Sequence, residues 1–410
     1  MAQLNIAIIG AGPAGCILAR LLNHPSINIT IYEADSSPDS RSQGGTLDLH
    51  EQTGLAALQK AGLYDEFLRH ARFDGEALLL CDKRLKGYLQ FSRGSAEHSR
   101  GSPEIDRVVL RRLLLESLPP GLIRWGYKLR SVSEGNVLHF DQGVESGFDL
   151  VIGADGVWSR VRRFITPDQP YDSKVSCQLF RIPDAARTAP AADALVNRGS
   201  LYAYSDGKSI MGQQLGDGSI QVYAWTTGSR EEEPEETDEE TIRNRVRDQF
   251  SDWAPELRDL LEQATERTDA RRIYTLPVGF KWPHKPGVTL IGDAAHVMPP
   301  FAGEGVNLAF GDAMKLADEI RSFVGNDKVV LDDVLRGYEE DLFRRAGLAQ
   351  ELSVGIMQDM FFTPGAPRTV IEKYMMRMVK FRTSPRVYSA AYPLIAAGVY
   401  SYYLGFKLFR

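Results

Sequence analysis

The sequence predicts an α/β fold: a Rossmann-like parallel-sheet domain that the chain leaves and re-enters, an antiparallel sheet inserted in it, and helices at the end. Three observations carry this. The apolar run Leu4 to Ile9 meets a glycine-rich turn and then a helical pattern. Between about Lys174 and Trp225 the texture becomes short alternating runs, such as SIQVYAW, separated by DGK and GDG turns. At Val288 to Ile291 the continuous apolar texture of a buried parallel strand returns.

In chain order, Leu4 to Ile9 reads as a strand, Gly10 to Gly15 as a turn and Cys16 to Leu22 as a helix. Asn28 to Tyr32 is a second strand ending in Glu33, which completes a βαβ unit. Val108 to Leu118 has the spacing of an amphipathic helix, and Phe148 to Ile152 that of a buried strand. A helix is expected from Glu304 to Phe323. These elements divide the chain into a nucleotide-binding part over 1–172 and 276–345, an antiparallel substrate-side part over 173–275, and a helical tail over 346–410. The acidic run Arg230 to Glu240 reads as a solvated loop and helix start.

Composition narrows the classes. With 410 residues, 43% hydrophobic and 25% charged, the chain can bury a large core. A net charge of -6 argues against nucleic acid as a partner. Cys16, Cys81 and Cys177 form no CxxC pair or His/Cys cluster, so neither a disulfide framework nor a structural zinc is expected. The start MAQLNIAIIGAG is a strand rather than a signal peptide, which makes the cytosol the default address. No GxSxG elbow supports serine hydrolase chemistry.

The chemistry lies in three motifs. The first is Gly10-Ala11-Gly12-Pro13-Ala14-Gly15, between strand and helix. Gly10 permits the tight turn, Gly12 lets the backbone approach a pyrophosphate, and Gly15 lets helix and strand pack closely. The helix start offers N–H groups to phosphates, and Glu33 stands where a carboxylate accepts from a ribose diol. The second runs from Asp149 to Arg160 and includes Asp155. The third runs from Thr289 to His296 and on through Met298-Pro299-Pro300-Phe301-Ala302-Gly303-Glu304-Gly305-Val306-Asn307. Asp155 and Asp293 each follow a strand, at the edge where α/β proteins bind ligands. Asp293 can accept from a ribityl or ribose hydroxyl. The Pro299-Pro300 turn with Gly303 and Gly305 opens a helix whose first N–H groups face an anion. Glu304 is expected to point to solvent, and His296 to be a packed, orienting residue.

Together the motifs resemble the group A flavoprotein monooxygenases of the aromatic-hydroxylase fold. Gly44-Gly45-Thr46-Leu47-Asp48-Leu49-His50, Pro103 to Arg107 and Met298 to Asn307 are similar to the flavin-dependent tetracycline-inactivating members. The resemblance spans roughly residues 4 to 350. It implies a non-covalent FAD reached by NADPH or NADH as co-substrate, with O2 entering a small-molecule substrate through a flavin C4a-hydroperoxide. It also implies FAD contacts at Glu33, Asp48, Arg107 and Asp293. Many relatives carry Arg after the ribose acid; Ala34 stands there, so Arg41 is the candidate for a nearby positive charge. Gln178 matches the tetracycline enzymes, but Ser200 and Gln221 stand where a basic Arg and a His would be, which argues against tetracycline itself. Gln178, Met211, Gln213, Gln221 and Phe301 are the candidates for a neutral pocket. A flavin oxidase or dehydrogenase and a non-catalytic FAD-binding redox sensor are the competing classes. A halogenase is disfavoured because no Trp-x-Trp element occurs.

The tail segment Tyr388 to Phe406 is largely apolar, interrupted by Pro393, Gly398 and Gly405, and no acid follows Glu372. A helix packed on the protein is the first expectation, ahead of peripheral membrane contact and of a true anchor.

Overall fold

The computed structural model describes residues 3–40, 44–94, 101–228, 238–326 and 328–409. Five parallel strands form one sheet, in the order Val288–Leu290, Leu150–Gly153, Leu4–Ile9, Ile27–Glu33, Ile123–Trp125. The central strand Leu4–Ile9 is apolar at nearly every position because helices cover one face and a second layer covers the other. Helix Pro13–Leu21 lies against it, and helices Gly305–Val324 and Arg107–Glu116 pack on that helix. The other face meets the antiparallel strands Leu129–Ser133, Val137–Phe140 and Gly143–Glu145, where Phe140 stacks on Tyr32 at 4.7 Å.

The second sheet has seven strands, in the order Glu266–Thr275, Tyr171–Ile182, Ile220–Thr227, Lys208–Gln214, Ser200–Ser205, Leu78–Asp82, Gly87–Phe91. All its pairs are antiparallel except Ser200–Ser205 with Leu78–Asp82. The sheet thus draws its last two strands from residues 78–91, well before the stretch whose texture predicted it. Its back face carries Phe180, Ile182, Ile210 and Val222 and is covered by helices Pro190–Val196, Glu239–Gln249 and Pro255–Glu262. Asp238 caps the second of these by accepting from Thr241 N–H at 2.8 Å, so the acidic run does end in a helix start. The rest of that run, 230–237, lies outside the described residues.

The 32-residue helix Leu331–Phe362, about 48 Å long, joins the two halves. Its Leu335, Tyr338, Leu342, Ala346 and Ala349 belong to the parallel-sheet core. Its Leu352, Ile356, Met357, Met360 and Phe361 belong to the core on the front face of the seven-stranded sheet. Helices Ile371–Arg382 and Pro385–Phe409 follow. Among the described residues no helix is long and apolar enough to cross a membrane.

Candidate active site

The site forms where two helix N-termini meet at the carboxyl ends of the central parallel strands. Gly292 (φ +61°) sits between them: a Cβ there would stand 3.2 Å from Ala14 Cβ, on the first turn of one helix, and 3.4 Å from Ala309 Cβ, at the start of the second turn of the other. Neither helix has a side-chain cap at Gly12 or Glu304, so their first N–H groups are free of side-chain acceptors.

The glycines of the first motif divide by what surrounds them. A Cβ on Gly10 (φ +110°) would collide with the Ala154 carbonyl, and one on Gly15 with the Gly10 carbonyl. Those two serve the protein's own packing. Gly12 has nothing within 4 Å of a Cβ position, and neither does Gly305. The space before them is open, and two uncapped helix starts suit an anionic group there. Glu33 is buried and holds the turn from behind, accepting Ala11 N–H at 2.7 Å and Asp35 N–H at 2.9 Å. A dinucleotide such as FAD therefore fits the donor set.

The second and third motifs meet the first here. Asp155 accepts from Ser159 Oγ at 2.5 Å and Arg160 N–H at 2.6 Å, which caps helix Arg160–Ile165. Asp293 is exposed and its carboxylate accepts no hydrogen bond among the described residues. His296 is buried and bonds Asp312 at 2.6 Å, as expected of an orienting residue. Asp312 also accepts Gly292 N–H at 3.1 Å and Arg345 at 2.8 Å. Burial alone would raise its pKa, but His296 and Arg345 hold it below the usual carboxylate range.

Around the second helix start, Asn307 is fully buried and its amide is spent internally. It accepts His50 N–H at 2.8 Å and donates to the Asp48 carbonyl at 2.9 Å. Its side chain thus clamps the Asp48–His50 segment, and only its backbone belongs to the open helix start beside Val306. Asp48 lies against Gly303, where a Cβ would stand 3.2 Å from its carboxylate. Pro299 is anchored from below, its carbonyl accepting from Ser353 Oγ.

Glu304 differs from expectation. It turns inward to His50, with Oε2 3.5 Å from Nδ1, while Asp48 lies 3.0 Å from Nε2. Burial would lower the His50 pKa, but hydrogen bonds and attraction from both carboxylates push it up to about 10. His50 thus carries the charge that balances two acids beside an anion-binding helix start. Spacing gave no sign of it, because its partner Glu304 is over 250 residues away in sequence.

Arg107 forms no ion pair among the described residues. Burial lowers its pKa from the ordinary arginine value, against the pull of Tyr223, Asp293 and Asp48. Its backbone N–H donates to Gly45 O at 3.1 Å. Gly45 (φ +94°) passes so close to the sheet that a Cβ would stand 2.6 Å from Tyr223 Oη. Arg41 lies outside the described residues.

The front face of the seven-stranded sheet gathers most of the neutral-pocket candidates. Met211, Gln213, Gln221 and Phe301 lie on this side, where Tyr223 Oη donates to Gln213 at 3.1 Å. Gln221 is buried, donating to Phe180 O at 2.7 Å, and faces Gly44. Gln178 does not join them. Strand neighbours Cys177 and Leu179 face front, whereas Gln178 shares the back face with Phe180 and binds Arg267 at 3.0 Å. Of the aromatic residues that dominate the front face, sequence reading named Phe301 and missed the rest. Tyr223 and Trp225 stack at 6.1 Å with 9° between planes, Trp225 meets Phe301 at 5.2 Å, and Phe301 meets Phe361 at 4.9 Å. Tyr202 and Tyr204 complete it.

Comparisons with known proteins agree with this geometry. Residues 3–341 match the FAD binding domain family. Monooxygenase penA of Penicillium thymicola is 31% identical, over 86% of this chain and 94% of its own length. The fold is that of the Klebsiella pneumoniae HpxO structure complexed with FAD and uric acid, with TM-score 0.73 at 20% identity, covering 97% of each chain. Tetracycline destructase Tet(51) gives TM-score 0.67 at 20% identity, over 93% of this chain and 97% of its own. The chain belongs to the FAD binding domain family and is an FAD-dependent monooxygenase that uses NAD(P)H and O2.

Proposed function

We propose that the substrate is a neutral aromatic or polycyclic small molecule, bound against the front face of the seven-stranded sheet and hydroxylated there. The observation that carries this is the aromatic run Tyr223–Trp225–Phe301–Phe361, flanked by Met211 and Gln213. Flat aromatic walls favour a flat ring system by stacking and by burying its faces. The polar groups within this wall, Gln213 and the Tyr223 hydroxyl, are uncharged donors and acceptors suited to phenol or carbonyl oxygens. The uric acid held by the Klebsiella pneumoniae protein is a fused-ring molecule, which supports a flat ring system as the substrate.

When bound, FAD supplies O2 activation after reduction by NAD(P)H. The chain's own residues do the rest. The two helix starts and Arg107 hold the cofactor's anionic parts. Asp293 offers acceptor lone pairs to its hydroxyls, and the aromatic wall orients substrate and keeps water out. The tail Pro385–Phe409 enters this reading as a peripheral membrane contact.

The test is NAD(P)H oxidation against a panel of neutral polycyclic phenols and benzoate-type carboxylates, followed by turnover under labelled O2. Neutral ring compounds should stimulate oxidation and yield product carrying one labelled oxygen. Stimulation by the carboxylates alone would refute the substrate class. Unlabelled product with stoichiometric peroxide would mark an oxidase.

A further inference from the structure

The outer side of helix Pro385–Phe409 is apolar, and we infer that it docks on an anionic lipid bilayer, with a basic cleft at its end receiving a phospholipid headgroup. This names the lipid chemistry of the tail contact assigned above and does not depend on the substrate class.

One side of the helix is committed to the protein. Tyr403 is buried and donates to Tyr88 O at 3.1 Å; Phe406 packs on Tyr88 at 5.5 Å; Val399 joins the same core. The opposite side exposes Val387, Leu394 and Leu408, with Leu394 80% and Leu408 70% accessible, and Tyr402 and Leu404 are exposed on its two flanks. Over 25 residues, about 37 Å, this makes a strip lying along the surface rather than a span. Tyr392 and Tyr400 are exposed too, and tyrosine favours the depth where acyl chains meet headgroups.

The cleft beside the end of this strip has a volume of about 380 Å³ and is lined by Lys83, Arg84, Lys86, Arg368, Ser205 and Tyr88, with Asp82. The acids there are already engaged. Asp82 accepts the N–H groups of Arg84 and Lys86 and the Tyr88 hydroxyl, while Asp206 and Asp252 hold Lys83. Arg84, Lys86 and Arg368 have no acidic partner among the described residues. Lys86 Nζ sits 5.4 Å over the Phe406 ring and Arg368 donates to Lys407 O at 3.0 Å, so the cleft is joined to the helix end. At the other end, Arg382 and Arg386 are exposed and likewise without an acid. Residues 373–410 contain no Asp or Glu.

That charge pattern selects the occupant. A second copy docking strip to strip would be isologous, setting one helix without acids against another and leaving Arg84, Lys86, Arg368, Arg382 and Arg386 unanswered. An anionic bilayer supplies both the apolar phase for the strip and negative charge for its two basic ends.

The experiment is co-sedimentation of the FAD-loaded full chain with vesicles of phosphatidylcholine alone or mixed with phosphatidylglycerol. Binding should require the anionic lipid and weaken as salt is raised. The Arg84→Glu/Lys86→Glu variant and the Leu394→Ser/Leu404→Ser/Leu408→Ser variant should each bind about tenfold or more weakly. Both should retain wild-type flavin content and NAD(P)H oxidation in detergent-free buffer, which separates lost docking from lost folding. No sedimentation with anionic vesicles, or sedimentation indifferent to the charge reversal, overturns the inference. So does a vesicle-free dimer, seen by light scattering, that the leucine substitutions abolish.

Discussion

Replacing Gly12 with valine should remove FAD and leave the fold intact, because Gly12 differs from the other glycines of its turn. Its backbone is extended (φ −72°, ψ 175°), which valine adopts freely, and a Cβ meets no protein atom within 4 Å. The unliganded protein should therefore change by no more than about 0.5 kcal/mol. The ligand loses far more. The valine side chain would occupy the space before the uncapped helix start and hold a pyrophosphate off at least two N–H groups. Charged hydrogen bonds contribute about 1.5–3 kcal/mol each, so two lost bonds cost about 3–6 kcal/mol. That corresponds to roughly 10²- to 10⁴-fold weaker FAD binding. Gly15→Ala is the control with the opposite signature: its Cβ collides with the Gly10 carbonyl, and overpacking should destabilise the protein by about 1–3 kcal/mol. The assays are the flavin-to-protein absorbance ratio, FAD titration of the apoprotein by calorimetry, and thermal unfolding of both apoproteins. A Gly12→Val protein that keeps wild-type flavin would refute the assignment of this loop. One that unfolds with Gly15→Ala would show that the space before Gly12 serves the protein itself.

Arg107→Ala should weaken FAD retention about tenfold or more without changing substrate preference, read by flavin content and by NAD(P)H oxidation across the panel. His50→Gln should flatten the alkaline side of the stability profile. Because its folded pKa is raised from 6.5 to about 10, His50 contributes fully below about pH 6.5 and loses that contribution as pH rises toward 10, on the order of 1 kcal/mol for so accessible a cluster. Denaturant titrations at pH 6 and pH 10 check this, and equal losses in wild type and variant would refute it. Asp312→Asn should destabilise by about 3–5 kcal/mol, since Arg345 and His296 lose their buried carboxylate. Its folded pKa is depressed, so the wild type should lose this contribution as pH falls through the acid range and the variant should not. Guanidinium unfolding from pH 7 downward measures it.

Local patterns were legible and long-range ones were not. The strand Leu4–Ile9, the turn Gly10 to Gly15 and the helix Gly305–Val324 each declare themselves within about 20 residues through periodicity and glycine placement. The strand Leu78–Asp82 does not, because its partner Ser200–Ser205 lies some 120 residues on and nothing local specifies which sheet it joins. Gln178 was misplaced for a related reason. Its strand is covered on both faces, so Cys177, Leu179, Phe180 and Ile182 are all apolar and the alternation that would identify the front face is erased. Glu304 was expected in solvent because a helix start favours an exposed acid. Its true partner, His50, reaches it only through the Asn307 clamp.

The two Asp-bearing motifs look alike in sequence, yet their carboxylates do different work, and the difference traces to one neighbour. Ser159, four residues past Asp155, donates to it and accepts Arg162 N–H at 2.9 Å, so the carboxylate is consumed in starting a helix. That helix places Arg162, completely buried, where its guanidinium donates to Ala294 O at 2.8 Å and to Val157 O. The second motif therefore acts on the third mechanically: it fixes the first turn on which Asp293 stands. Asp293 has no serine at the equivalent spacing. Four residues on is Val297, which offers no hydroxyl, so the carboxylate keeps its lone pairs free at the edge of the site. Of the two acids, only Asp293 is free to accept a hydroxyl from a bound ligand, and Asp155 and Arg162 are what hold it there.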